Sequence, residues 1–210
     1  MKIPSILLPA ILVCCLFSCG EEDVPLNNFQ QDLAEVFTDA DGKITSLVTD
    51  DGTSYSVSNA ALMQPLRPDT VYRTSALYVR SADKAEIIGL TSIVSPKPIV
   101  SDATIKNAPL RVDAVWRGGR YANLLLTIPT SNKAHKFAFV DRGYQAQAEG
   151  HLLQTIELYH DNNGDGDFYE RQVYLSCPLY GFGDILQAGR DSVEMRIQTP
   201  NGLYTKRLPF

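Results

Sequence analysis

Between residues 39 and 202 the sequence is cut again and again by turn-forming runs, and the segments between them are short. Asp39-Ala40-Asp41-Gly42, Asp50-Asp51-Gly52, Arg117-Gly118-Gly119-Arg120 and Pro200-Asn201-Gly202 each supply a glycine for the positive φ that a tight reversal needs. Between the first two lies 43–49, with Ile44, Leu47 and Val48 as its apolar members, and 53–57 returns with Tyr55 and Val57 on one face. Residues 33–37 read as a strand ahead of them. Residues 71–79 and 86–94 follow, rich in β-branched and aromatic side chains. The one helical turn expected in this half falls at 59–63. Five strands, with the helical interruption between the third and fourth, predict a small barrel of the OB type.

Ser95-Pro96-Lys97-Pro98 then breaks the pattern, because two prolines so close cannot continue a central strand. Beyond it Leu110, Val112, Ala114 and Trp116 alternate, which predicts a strand with these four on one face. Further strands are expected at 121–128, 137–140, 151–159, 172–177, 193–197 and 203–208. Seven strands with regular turns predict a β-sandwich. The expected organisation is therefore all-β: a cleaved segment at 1–18, an acidic tether at 19–31, a five-stranded OB-like barrel at 32–97 and a seven-stranded sandwich at 98–210.

The amino terminus carries an address. Met1-Lys2 is followed by an uncharged run over 3–17, shorter than the ~20 apolar residues of a membrane-spanning helix and suited to a signal peptide. Leu16 and Ser18 stand three and one residues before Cys19, as in lipoprotein signal peptides, although Phe17 is bulkier than usual there. Acylation of Cys19 is expected, which makes the lipid bilayer the first partner. Glu21, Glu22 and Asp23 form a hydrated start to the tether, and they resemble the export signal that carries Bacteroidetes lipoproteins to the outside of the outer membrane. Cleavage removes Lys2 and leaves 18 basic against 24 acidic residues, a net charge of −6. With no basic patch, nucleic acid is not an expected partner. Of the four cysteines only Cys19 and Cys177 survive processing, and Cys177 is expected to be a buried, inert thiol.

Two stretches carry a family resemblance. Residues 44–57, ITSLVTDDGTSYSV, and residues 157–165, ELYHDNNGD, resemble the NigD-like lipoproteins of Bacteroidetes. That resemblance implies a lipoprotein signal, an OB-like first domain and a β-sandwich second domain. It attaches no general biochemical role, but the family name derives from a bacteriocin gene cluster, which brings an immunity-type role into view.

Candidate sites are few. In Asp161-Asn162-Asn163-Gly164-Asp165-Gly166-Asp167, the oxygens of Asp161, Asn163 and Asp165 with Gly166 sixth match the first half of an EF-hand calcium loop. The twelfth position is Gln172, Glu170 comes two residues early, and strands flank the loop, so a calcium site and a plain turn both remain open. His151 and His160 are nine residues apart and belong on opposite faces of a strand, and with His135 they give no zinc spacing. No nucleophile motif is present, and acid pairs such as Asp50-Asp51 sit in turns, so no catalytic residue is expected. The aromatics Trp116, Tyr121, Tyr159 and Tyr174 lie at strand positions where core packing is expected. Tyr144, Tyr180 and Phe182, in glycine-containing loops, are the expected ligand contacts. The functional expectation is a surface-exposed lipoprotein, not an enzyme, that binds a glycan or protein at the cell envelope. The alternatives are an immunity lipoprotein that sequesters a bacteriocin-type peptide, and a hydrolase of surface polymers.

Overall fold

The computed structural model describes residues 28–105 and 107–210. Cys19, Glu21, Glu22 and Asp23 lie outside the described residues. Strands β1 (Phe29–Thr38), β2 (Ile44–Thr49), β3 (Ser54–Val57), β4 (Val71–Ser81) and β5 (Lys84–Ser92) close into a barrel in the order β1-β2-β3-β5-β4. β3 and β5 run parallel while β4 closes antiparallel onto β1, and the expected helical turn is a short 3-10 turn at Ala60–Leu62. β1 starts at Phe29, earlier than expected, because residues 29–32 pair with residues 76–79 of β4. The Asp50-Asp51-Gly52 hairpin forms as its residues require. Asp51 Oδ1 accepts the Thr53 amide at 2.9 Å, and Gly52 takes a φ of +88°. Inside the barrel Val36, Leu47, Ala76, Tyr78 and Ala85 pack together with almost no exposure.

The second half contains β6 (Ile99–Val100), β7 (Arg111–Gly118), β8 (Tyr121–Thr130), β9 (Lys136–Ala146), β10 (Leu152–Asp161), β11 (Tyr169–Pro178), β12 (Ser192–Thr199) and β13 (Gly202–Pro209). A five-stranded sheet, β13-β12-β10-β9-β6, faces a three-stranded sheet, β11-β8-β7. The seven expected strands are joined by the two-residue β6, which pairs parallel with β9. Ala122, Leu124, Leu126 and Ile128 of β8 all face inward and are fully buried with Phe139, Ile156, Leu158, Leu175, Met195 and Ile197. Each such Leu or Ile contributes roughly 1.5–3 kcal/mol of burial. Cys177 is in this core, and burial pushes its thiol pKa well up.

One irregularity decides what the sandwich presents to the outside. β7 pairs with β8 as Arg111↔Thr127 and Val112↔Leu126, then resumes as Ala114↔Leu125 and Trp116↔Asn123, with Asp113 as an extra residue. This bulge reverses the facing of every later side chain. Leu110 and Val112 therefore turn to the core, Val115 joins them, and Ala114 and Trp116 turn outward. The expectation that 110, 112, 114 and 116 share one face is corrected at that point.

Candidate ligand-binding site

The barrel meets the outer face of β8 and β11 through a buried polar knot. Arg73 of β4 forms a two-pronged ion pair with Asp50 of the β2–β3 turn, Nη1 to Oδ1 at 2.6 Å and Nη2 to Oδ2 at 2.8 Å. Its Nε donates to Ser176 Oγ at 3.1 Å and its Nη2 to Asn123 Oδ1 at 3.0 Å. Asn123 Nδ2 returns a bond to Asp50 Oδ2 at 2.8 Å, and Ser176 Oγ donates to Asn123 Oδ1 at 2.7 Å. Every polar group of the knot is thereby matched, as buried groups must be to avoid a desolvation cost. The guanidinium also lies 4.1 Å from the centre of the Tyr121 ring. Beside it Glu35 accepts from Arg120, at 2.7 Å from Nη2, and from the Tyr121 hydroxyl. Backbone joins the halves too, since the Ser176 amide donates to Val94 O at 3.1 Å. The β7–β8 turn fits only because it is glycine: a Cβ on Gly118 would run into the Asp50 carboxylate and the Asn123 amide.

This junction fixes two walls of a cleft of about 740 Å³. The sandwich wall is Trp116, Ala114, Leu125 and Tyr174, and Ala114, Leu125 and Tyr174 form one cross-strand row over β7, β8 and β11. The bulge at Asp113 is what turns Trp116 to this side, where it is half-buried, and Tyr174 is 40% exposed. The barrel wall brings Asp32, Asp51, Tyr55, Tyr78 and Arg80, with Gln30 and Gln31 at the edge and Asp50 at the junction.

The carboxylates of the barrel wall are held in place. Tyr78 donates its hydroxyl to Asp32 Oδ2 at 2.8 Å. Burial, followed by this bond and the charge of Asp32, pushes the Tyr78 phenol pKa far up, so it stays a donor. Asp51 Oδ1 accepts Thr49 Oγ1 at 2.6 Å as well as the Thr53 amide. The Thr49 hydroxyl foremost holds the Asp51 carboxyl below the usual range and therefore ionised. Asp50 is neutralised by Arg73. The cleft thus offers two fixed carboxyl acceptors, Asp32 and Asp51, and the exposed guanidinium of Arg80 opposite an aromatic wall. Such a surface can stack an apolar face and accept hydrogen bonds along its edge.

The ligand contacts expected from sequence do not converge. Phe182 is corrected to a core residue, 7% exposed and packed within the sandwich. Tyr180 is half-exposed, lies under the Arg120 guanidinium at 4.7 Å, and lines a different cleft with Glu35 and Tyr121. Tyr144 is exposed near the end of β9 and lines neither cleft. Trp116 and Tyr174, expected in the core, line the larger cleft instead. A signal for this was present. Val112 and Val115 are three apart, and both can face a core only if an extra residue intervenes.

The 161–167 loop is tied into the protein by its own side chains. Asp161 Oδ1 caps the Asn163 amide at 2.8 Å, and Asn163 and Gly164 take φ of 54° and 60°. The Asp165 side chain is fully buried and accepts from Thr130 Oγ1 at 2.6 Å, the Ser131 amide at 2.9 Å and the Gly166 amide at 2.9 Å. Burial opposes its charge, but these donors together with His135 bring the carboxyl well below its usual range. His135 lies between Asp165, at 3.2 Å, and His160 Nε2, at 2.9 Å. His160 Nδ1 faces Ala108 O at 2.8 Å, and Phe137 stacks on its ring. Asp161, Asn163 and Asp165, for which a calcium site and a plain turn were both open, are thus divided between a solvent-side turn and the interior. Among the described residues no three His, Cys, Asp or Glu side chains group as a metal site.

Comparison with known proteins bears on this architecture. Residues 92–206 match the family model described as the NigD-like C-terminal beta sandwich domain. A NigD-like immunity protein from Bacteroides caccae superposes with a TM-score of 0.67 at 27% identity, over 85% of this chain and 90% of that one. A protein of unknown function from Bacteroides vulgatus gives 0.62 at 14%, over 86% and 91%. A candidate lipoprotein from Bacteroides fragilis gives 0.59 at 10%, over 86% and 98%. The last two likenesses establish fold alone. No curated protein sequence matches the chain.

Proposed function

This chain belongs to the NigD-like family, and we propose that it is a surface-exposed envelope lipoprotein that binds a glycan in the cleft between its two domains. The observation that carries the reading is the outward aromatic wall, Trp116 with Tyr174, facing carboxylates already fixed by Tyr78, Thr49 and Thr53. Aromatic faces suit the apolar faces of sugar rings, and fixed acceptors bind hydroxyls without reordering. The carboxylates also favour binding over hydrolysis. A glycosidase acid needs a raised pKa, whereas Asp51 is held low by its hydrogen bonds. The anchoring part rests on the run 16–19 and the acidic residues 21–23.

A second reading is sequestration of a bacteriocin-type peptide, favoured by the likeness to the Bacteroides caccae immunity protein. One experiment addresses both. Cells expressing the wild type, Trp116→Ala or Tyr174→Ala are incubated with fluorescent polysaccharides or a labelled cationic peptide, then treated with protease. Glycan retention that needs both aromatics and disappears on shaving supports the proposal. Retention of the peptide alone moves the function to the second reading, and retention indifferent to Trp116 removes the cleft from it.

A further inference from the structure

We infer that the cleft selects an uncharged, hydroxyl-rich glycan and rejects polyanionic ones, a conclusion that rests on the cleft being the binding site. The charged groups lining it are Asp32, Asp50, Asp51 and Arg80. Arg73 cancels Asp50 within the protein, through both carboxylate oxygens, so that charge is spent before any ligand arrives. Asp32 is fixed through Oδ2 and Asp51 through Oδ1, and each keeps acceptor capacity on its second oxygen. A carboxylate accepts hydrogen bonds and gives none, so its partner must bring donors. Sugar hydroxyls do so. Uronate and sulfate groups bring negative charge into a cleft whose two uncompensated carboxylates face a single guanidinium, and like charges in contact are strongly disfavoured. The aromatic wall, with Trp116 and Tyr174, adds no compensating cation.

A cationic ligand would also be tolerated by this charge balance, which makes sign and salt dependence the quantities to read. The purified protein is titrated by calorimetry with a neutral galactomannan, with polygalacturonate and with a chitosan oligomer, in low and physiological salt. The inference expects neutral binding that changes by less than about twofold with salt, because no ion pair forms. Polygalacturonate is expected to bind at least ~10-fold more weakly, with the gap closing in Asp32→Asn/Asp51→Asn. Circular dichroism and a melting curve establish that this isosteric variant is folded. Polygalacturonate bound as tightly as galactomannan overturns the inference, and if Trp116→Ala then abolishes both, the cleft itself stands. Tight, salt-sensitive binding of chitosan with none of galactomannan likewise overturns it in favour of a cation site. Binding of galactomannan unchanged by Trp116→Ala overturns the cleft reading on which the inference depends.

Discussion

Replacing Arg73 with Met separates the contribution of the junction from that of either core. Methionine keeps the apolar stem and removes every bond of the guanidinium. Asp50 is left with an uncompensated charge, and Asn123 and Ser176 each lose a donor. The Arg73 side chain is only 4% exposed, whereas Asp50 is 20% exposed and partly screened by water. Breaking a buried pair by removing one partner costs ~3–5 kcal/mol, and the exposure of Asp50 places this site at the lower end, about 3 kcal/mol. Urea unfolding followed by tryptophan emission and by far-ultraviolet circular dichroism checks it, because the single tryptophan lies beside the knot. The wild type is expected to show one coincident transition by both probes. Arg73→Met should lose about 3 kcal/mol, and its two probes should separate as barrel and sandwich uncouple. Arg73→Met/Asp50→Asn should recover part of the loss, since the stranded charge is gone. A loss below ~1 kcal/mol with coincident probes would refute the reasoning.

Three further outcomes follow from other parts of the molecule. Gly118→Ala forces the Asp50 carboxylate and the Asn123 amide to move and should lower stability by ~1–3 kcal/mol in the same urea assay, whereas Gly181→Ala, with open space around it, should be near neutral. Stability should fall on acidification in two stages. His160 is held neutral by burial, so the unfolded state binds its proton first as pH drops below the ordinary value of 6.5. Asp165 is held ionised, so its contribution is intact above the ordinary carboxyl value of 3.8 and is lost as pH falls further, through its lowered native value. Urea midpoints measured from pH 7 to pH 3 check both signs, and a midpoint that rises between pH 7 and pH 5 would contradict the first. Cys177, buried with its thiol pKa raised, should resist a disulfide reagent in buffer and react fully in urea.

The barrel was legible because its turns are explicit. Asp51 and Gly52 specify a reversal by local hydrogen bonding alone, and β3 returns on β2 in continuous register, Leu47 opposite Tyr55. The sandwich was legible for the same reason, except where a bulge interrupts the period. Asp113 adds one residue to β7, which moves Trp116 from the face its spacing predicts to the opposite one. Tyr174 was misplaced by a related cause. It lies on the outer face of β11, and only the approach of the barrel makes that face the wall of a cleft. Arg73 and Ser176 are 103 residues apart, and Asp50 and Asn123 join them only through tertiary structure, so no local spacing announces the knot. Phe182 was misread because Gly181 and Gly183 suggest an exposed loop, whereas that segment winds into a 3-10 turn, Tyr180–Phe182, whose last ring enters the core.

Trp116 is the chain's one tryptophan and lines the cleft, so in the folded protein a ligand bound there changes the surroundings of the only indole. The most direct measurement is a fluorescence titration of the wild-type protein with a glycan whose binding calorimetry has established. Stacking on Trp116 should shift its emission to shorter wavelength along the same isotherm that calorimetry gives, and Asp51→Asn should weaken both curves together. A calorimetrically sound isotherm with unchanged tryptophan emission would mean that the ligand sits elsewhere, and that the cleft between the domains is not the binding site.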